Sequence, residues 1–275
     1  MSVRTGALQF LTWDASGGST PKAPGLLVGG EVSAESGVDI RYGVGGQSSS
    51  FAGSARFSGR AEIEVNKDTK AFVLNALRVS GVLPSIKLIG GTDEVDFTHD
   101  AAYINRLVLS GAIDEPMKAV VEWISPTEDE GAAGGAMVAL GSALLPQGGA
   151  AVTVGLSPYV CQSWEITVEN GIAPYYSLDA KDAGELRLPV GLSLGMEKIS
   201  ARISSALEQT WEPGEDVPDA DIGAVVLYTD GTNSITCTLT GLTRRGARPM
   251  PLVTESGLVI WPYEFLGQAG SLAIT

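Results

Sequence analysis

The chain has 275 residues, of which 44% are hydrophobic and 18% charged, and its formal net charge is −14. This composition excludes an intrinsically disordered chain, and the length is sufficient for one large or two smaller domains with a buried core. The chain has 32 acidic and 18 basic residues, and this excess of acids argues against nucleic-acid binding through clustered Lys and Arg. The acidity agrees with a surface past which DNA slides without sticking, and equally with plain solubility.

The two cysteines and the apolar segments indicate the environment in which the protein works. Cys161 and Cys237 lie far apart in strand-like runs, and we expect reduced, buried thiols rather than metal ligands. The first residues lack the apolar stretch of a signal peptide, and no run is long and apolar enough to span a bilayer. We therefore expect a soluble, non-secreted protein with no membrane partner.

The N-terminal part of the chain predicts strands separated by a loop. The Ser- and Gly-rich residues 44–58 predict an exposed loop. A strand is predicted at residues 59–66, with apolar side chains on one face and Glu62 and Glu64 on the other.

Residues 68–80 predict the helix of this chain. Asp68 or Thr69 is placed to cap the helix, apolar residues recur at helical spacing, and Gly81 can end it. The wide apolar face predicts that the helix lies against a sheet.

The middle of the chain predicts a hairpin followed by a break. Residues 103–111 and 117–125 alternate between apolar and polar side chains, which predicts two paired strands. Residues 126–150 are rich in Gly and Ala and predict a linker or long loop. This boundary separates a predicted N-terminal half, residues 1–125, from a C-terminal half, residues 151–275.

The C-terminal half predicts a second series of strands. In the strand at residues 163–171, apolar Trp164, Ile166 and Val168 alternate with polar residues, and Asn170-Gly171 predicts a turn. The other predicted strands occupy residues 150–156, 184–195, 198–207, 223–231 and 234–242.

The two halves echo each other. The segments AEIEV, residues 61–65, and ARISS, residues 201–205, share an Ala-x-Ile pattern, and each is followed by an irregular insert and a strand pair. This order predicts an internal duplication. The chain as a whole predicts a mainly β fold with one flanking α-helix.

No combination of residues predicts catalysis, a cofactor or a metal site. The one histidine, His99, lies beside Asp96 and Asp100 in a segment that predicts a solvated polar turn. The acidic clusters fall in loops with Pro and Gly, whereas glycosidase carboxylates are held on rigid strands in a cleft. The sequence therefore predicts a protein that is not an enzyme.

Four segments resemble the tail tube proteins of long-tailed, non-contractile bacteriophages. AYINRLVLSGAIDEPMKAVVEWISP is similar to a strand pair of that family joined by an acidic turn, and QSWEITVENGI is similar to its following strand. GELRLPVGLSLGMEKISARISSAL resembles the next turn and strand, and SGRAEIEVNKDTKAFVLNAL resembles the family's strand-then-helix element. The resemblance covers roughly residues 55–275.

The resemblance implies a β-sandwich flanked by a helix, whose inner sheet joins those of neighbouring copies into a barrel around a lumen. Rings of this homo-oligomer stack into a tube in the virion tail, and DNA leaves the virion through an acidic lumen without specific binding. The implied partners are other copies of the chain, a tape measure protein and a tail terminator, and the protein is made in the host cytoplasm. A duplicated chain favours three copies per ring with pseudo-sixfold symmetry, whereas a single unit needs six.

Two groups of residues are candidates for this role. The acids predicted to face the lumen are Glu165, Glu169, Glu62 and Glu64. Assembly is predicted to use the irregular segments 44–58, 126–150 and 208–221. The candidate inter-subunit residues in those loops are Trp211, Glu212, Glu215, Asp216, Asp129 and Glu130.

Two other classes of function remain open. The first is a virion-borne baseplate or fibre β-sandwich module that binds a receptor or glycan. The second is a β-sandwich hydrolase, which the single histidine and the loop-borne acids disfavour.

Overall fold

A computed structural model describes most of the chain. The described residues are 4–42, 48–92, 95–113, 115–132, 135, 138–140, 145, 150–155, 157–159, 161–177, 187–206, 222–229, 233–245, 252–253 and 259–275.

Within these residues the chain is almost entirely β. The one α-helix, α1, spans Thr69–Val73 and is continued by a 3-10 turn at Leu74–Ala76. The strands are β1 Arg4–Ala7, β2 Phe10–Ala15, β3 Leu26–Tyr42, β4 Ser48–Glu64, β5 Ile86–Gly91, β6 Val95–Ala112, β7 Lys118–Ser125, β8 Asp129–Ala132, β9 Ala150–Val154, β10 Ser157–Tyr159, β11 Cys161–Glu169, β12 Ala173–Tyr175, β13 Gly191–Ser193, β14 Lys198–Ala206, β15 Ile222–Thr229, β16 Ser234–Arg244, β17 Leu252–Val253, β18 Val259–Gly267 and β19 Leu272–Ile274. The predicted mainly β fold with one helix is confirmed.

One large antiparallel sheet runs through both halves of the chain. Its strand order is β1–β3–β4–β7–β6–β11–β14–β18, and β17 and the end of β16 both pair with the far side of β18. The pairing of β6 with β11 joins strands from either side of the boundary predicted at residues 126–150. The predicted hairpin of residues 103–111 and 117–125 is present as the second part of β6 and β7.

Two smaller antiparallel sheets are connected to the large one. The first has the order β2–β5–β6–β8, and the second has the order β10–β9–β15–β16–β19. β6 and β16 each begin in a smaller sheet and end in the large sheet. Such strands turn the corner between sheets and let both sheets contribute to one core.

The core is continuous across both halves. The large sheet buries one face, on which Trp123, Trp164 and Phe265 lie in the same cluster of buried side chains. Buried residues of the smaller sheets, such as Leu88 and Val226, belong to that cluster as well. In β11, Trp164, Ile166 and Val168 are buried while Glu165 and Glu169 are exposed, as the alternation predicts. Thr167, on the same face as the two glutamates, is the exception because it is buried.

The loop predicted at residues 44–58 is wrong for the part that the structure describes. Residues 48–58 belong to the long strand β4, which pairs with β3 as far as Tyr42↔Ser48. Ser and Gly favour turns locally, but a continuous antiparallel partner satisfies the backbone groups and overrides that preference.

The helix predicted at residues 68–80 is real but shorter. The helical turns end at Ala76, and Leu77 already has extended torsion angles, φ −101° and ψ 142°. The Asn75 side-chain amide donates to two carbonyls of the preceding turn, and such bonds compete with continuation of a helix.

The helix cap also differs from the prediction. Asp68 makes no side-chain capping bond. Instead the Asn66 side-chain oxygen accepts the Thr69 N–H at 2.9 Å, and the Thr69 hydroxyl oxygen accepts the Asn66 N–H at 3.0 Å. This reciprocal pair satisfies donors that would otherwise be left open where the helix begins.

No helix in the described part of the chain is long and apolar enough to cross a membrane.

Candidate assembly surface

The face of the large sheet that points away from the core carries a row of alternating charges. Strand register places Glu31 opposite Arg60, Arg60 opposite Glu122, and Glu122 opposite Arg106. Arg106 is in turn opposite Glu169 of β11, across the junction of the two halves. The charged atoms of Arg60 and Glu122 are 4.0 Å apart, those of Arg106 and Glu122 are 3.2 Å apart, and those of Arg106 and Glu169 are 3.7 Å apart.

A second row with the same order of charges lies in the other half. Glu165 is opposite Arg202, and Arg202 is opposite Glu264. The backbone N–H of Arg245 donates to the Glu264 carbonyl at 2.8 Å, which places Arg245 beside Glu264. All four residues line one shallow cavity on the sheet.

The two rows occupy matching strands. In the first half, neighbouring strands follow the order β3–β4–β7–β6. In the second half the corresponding order is β11–β14–β18 and then the end of β16. Counted along these pairings, four positions match in charge, namely Glu31 with Glu165, Arg60 with Arg202, Glu122 with Glu264, and Arg106 with Arg245.

These charges contribute little to the stability of the isolated chain. The side chains of Arg60 and Arg106 are 48% and 41% exposed, and that of Glu122 is 34% exposed. Exposed pairs of this kind are worth about 0–1 kcal/mol because water and salt screen them. The order of the rows is therefore more informative about recognition than about folding.

The four acids predicted to face a lumen all lie on this charged face. Glu62 and Glu64 are half-buried in β4, and Glu165 and Glu169 are exposed in β11. The face also carries basic side chains between the acids, so its charge is mixed in sign. These basic residues include Arg60, Arg106, Lys118, Lys198, Arg202 and Arg245.

The predicted inter-subunit loop residues fall into two groups. Asp129 and Glu130 lie in β8, opposite Thr98 and Phe97 of β6, so their placement in a loop is wrong. The Gly and Ala around them remove periodicity, but backbone pairing with β6 supplies the strand. Trp211, Glu212, Glu215 and Asp216 lie outside the described residues, as does the whole of segment 208–221.

The edges of the large sheet are the places where backbone groups can pair with another chain. At one edge, β1 covers residues 31–34 of β3. At the other edge, Thr243 and Arg244 pair with β18 near its end, and β17 pairs with it near its start. Sheet edges are templates for further strands.

His99 and its two hydrogen-bond partners, Glu128 and Trp123, have a structural role. His99 is fully buried in β6 rather than in a solvated turn, and its Nε2 lies 2.8 Å from a Glu128 carboxylate oxygen. The Trp123 indole N–H donates to His99 Nδ1 at 2.9 Å. Among the described residues no group of three or more His, Cys, Asp or Glu is arranged to hold a metal ion.

Both cysteines are free thiols in this structure. Burial raises the pKa of Cys161 to about 11 and that of Cys237 to about 12. Thiols with such pKa values remain protonated at neutral pH and are poor nucleophiles.

Asn170 is a structural residue that the sequence interpretation missed. Its side-chain amide donates to the carbonyls of Ala76 and Ile104 at 2.9 and 3.0 Å, and the residue is fully buried. Asn-Gly predicted a tight hairpin turn, but β14, the neighbour of β11 that follows it in sequence, begins only at Lys198. An Asn directly after an alternating strand is the signal that could have suggested a buried anchor.

No family model matches the chain, and no curated protein matches it.

Proposed function

We propose that this chain is a structural subunit that assembles into rings and tubes, in the manner of the tail tube proteins of long, non-contractile-tailed bacteriophages. The observation that carries the proposal is the repeated charge row on matching strands of the two halves. A chain whose two units already join edge to edge within one sheet has the geometry to continue that sheet into further copies.

The repeated pairing supports an internal duplication and a two-layer sandwich in each half. The strands that contain the Ala-x-Ile segments, β4 and β14, hold equivalent places beside β7 and β18. The strand pairings align Arg60 with Arg202. The Ala-x-Ile segments instead align Ala61 with Ala201, so the two alignments differ by two residues. Two units per chain imply three chains in a ring with pseudo-sixfold symmetry.

The number of strands supports a ring of several chains. Without β1, and with β17 and the end of β16 counted as one edge position, each chain supplies eight strand positions to the large sheet. A closed barrel of about eight strands is filled by its own side chains. Three chains supply about 24 strands, which at about 4.8 Å per strand give a backbone diameter of about 37 Å before tilt. Barrels of 16–18 strands already leave an aqueous channel, so this ring encloses a wide lumen.

The charged face supplies the lumen wall in this proposal. Acidic and basic side chains alternate along it, and Glu62, Glu64, Glu165 and Glu169 are among its acids. Clustered positive charge is what binds DNA through its phosphates, and the basic residues here are separated by acids. The proposed role is passage of DNA without retention, in a virion tail that also holds a tape measure protein and a tail terminator.

Electron microscopy of purified protein at rising concentration tests the proposal. We expect rings or tubes of uniform diameter whose end-on class averages have threefold symmetry with a pseudo-sixfold outline. Six identical subunits per ring would refute the duplication while leaving ring assembly intact. A persistent monomer that binds glycan or receptor would refute the tube and support the baseplate or fibre module instead.

A further inference from the structure

The junction between the two halves is a complete example of how two units of this protein join. β6 and β11 pair antiparallel over seven residues, from Arg106↔Glu169 to Ala112↔Ser163. This internal seam includes the ion pair between Arg106 and Glu169, whose charged atoms are 3.7 Å apart.

The outer edge of the second half matches the β6 side of this seam. β6 places Tyr103 opposite Ile124 and Ser110 opposite Lys118 of β7. At the corresponding ends of β18, Thr243 is opposite Leu266 and Leu252 is opposite Ile260. The edge formed by Thr243–Arg245 and Leu252–Val253 is therefore the counterpart of the seam strand β6.

The outer edge of the first half matches the β11 side of the seam. Glu31 is opposite Arg60 in β4, as Glu165 is opposite Arg202 in β14. Four residues further along, Glu35 is opposite Arg56, as Glu169 is opposite Lys198. Glu35 thus holds in β3 the register position that Glu169 holds in the seam.

The strand β1 covers the part of β3 that corresponds to the covered part of β11. β1 pairs with residues 31–34 of β3, and β6 pairs with the matching residues 165–168 of β11. While β1 is in place, the backbone groups of β3 that it pairs with are occupied and cannot pair with another chain.

We propose that the edge formed by Thr243–Arg245 and Leu252–Val253 pairs antiparallel with β3 of a second copy of this chain, in the register of the internal seam, and that β1 leaves β3 when the copies associate. The inference rests on the ring assembly proposed above and names its contact. The contact is heterologous, since it joins two different edges. Repetition of such a contact closes a ring when the rotation between successive copies completes a full turn.

The register defines one diagnostic ion pair. Arg245 matches Arg106, and Glu35 matches Glu169, so Arg245 stands opposite the second copy's Glu35. A like charge at either position opposes this association, whereas exchange of the two charges restores complementarity.

The first experiment measures the protein concentration at which half of the chain is assembled, by sedimentation velocity. We expect Arg245→Glu and Glu35→Arg each to raise this concentration by at least about tenfold, because juxtaposed like charges cost several kcal/mol at an interface. The double variant should return to within about threefold of the wild type. The control is the charge reversal Lys67→Glu at an exposed position just before the helix and outside the large sheet, which should shift assembly by less than about threefold.

A second experiment tests the register directly by cross-linking. Residues opposite each other in an antiparallel pair have Cα atoms about 4.5–5.5 Å apart, a distance that a disulfide can span. In a Cys161→Ser, Cys237→Ala background, Arg245→Cys combined with Glu35→Cys should give covalent dimers and larger species after oxidation. Each single cysteine variant should give no ladder of covalent oligomers.

A third experiment tests the role of β1. Deletion of residues 2–7 uncovers β3, and we expect half-assembly at a lower protein concentration than for the wild type. An unchanged or higher concentration would overturn the displacement of β1.

The outcomes separate this inference from the proposed function. A wild-type protein that stays monomeric at every concentration contradicts ring assembly itself. A wild-type protein that assembles, together with charge variants that assemble equally well and no cross-link, overturns the register and leaves ring assembly standing.

Discussion

His99 is fully buried in β6, and both of its ring nitrogens have partners. Since the Trp123 indole can only donate, His99 Nδ1 accepts that bond, and Nε2 carries the proton that is donated to Glu128. This chain of side chains connects β6, β7 and the segment before β8. It satisfies polar atoms that a core otherwise cannot tolerate.

Removal of the Glu128 carboxylate should destabilise the protein. Glu128→Ala leaves the buried His99 Nε2–H without its acceptor, and we expect the free energy of unfolding to fall by about 1–3 kcal/mol. Glu128→Gln retains an acceptor oxygen and should lose less than Glu128→Ala. Urea denaturation measures both, with the exposed Asp129→Ala as control, for which the change should stay within about 0.5 kcal/mol. Equal effects of Glu128→Ala and the control would contradict a role in stability.

At the scale of elements, Asn170 ties three segments together. Its side-chain amide donates to Ala76 where the helical turns end and to Ile104 in β6, while its own N–H donates to the Asn105 carbonyl. Because Asn170 directly follows β11, these bonds fix the end of that strand against the helix and β6. The direction in which the chain leaves β11 is set here.

Asn170→Ala should weaken this junction. The substitution leaves two buried carbonyls without their donor, and we expect the free energy of unfolding to fall by about 2–3 kcal/mol. The neighbouring exposed Glu169→Gln is the control and should change it by less than about 1 kcal/mol. Denaturation followed by circular dichroism measures both variants, and a loss below 1 kcal/mol for Asn170→Ala would show that the junction does not depend on the amide.

At the scale of the whole molecule, the two halves share one sheet and one core. The β6–β11 pairing places strands of both halves side by side, and the buried cluster includes Trp123 from the first half and Trp164 from the second. The domain boundary predicted at residues 126–150 therefore lies between two halves that share a β-sheet and a hydrophobic core.

This shared core predicts one cooperative unfolding transition for the dilute monomer. Units that share a core unfold together, whereas independent domains unfold in separate steps. Trp123→Phe and Trp164→Phe each remove one buried indole, from the first and the second half respectively. Trp13 remains as a reporter in the first half, and Trp211 and Trp261 remain in the second. Within each variant, the unfolding midpoint measured by fluorescence should equal the midpoint measured by circular dichroism. Two separated midpoints in either variant would show that the halves unfold independently.

Local pattern was enough to predict many strands and their buried faces. The alternation in residues 59–66, 103–111, 117–125 and 163–171 identified strands correctly, because side chains alternate between the two faces of any strand. The same locality explains the errors. Residues 48–58 look like a loop until β3 is known to lie beside them, and His99 looks solvated until Trp123 and Glu128 are known to surround it.

The sequence by itself determined that this is a mainly β protein whose strands alternate between apolar and polar faces, since composition and alternation are properties of the chain alone. Only the tertiary structure decided that β11 lies between β6 and β14, which brings the charges of both halves into matching rows. Strand pairing joins residues far apart in sequence, and a period of two residues carries no information about which strand is the neighbour.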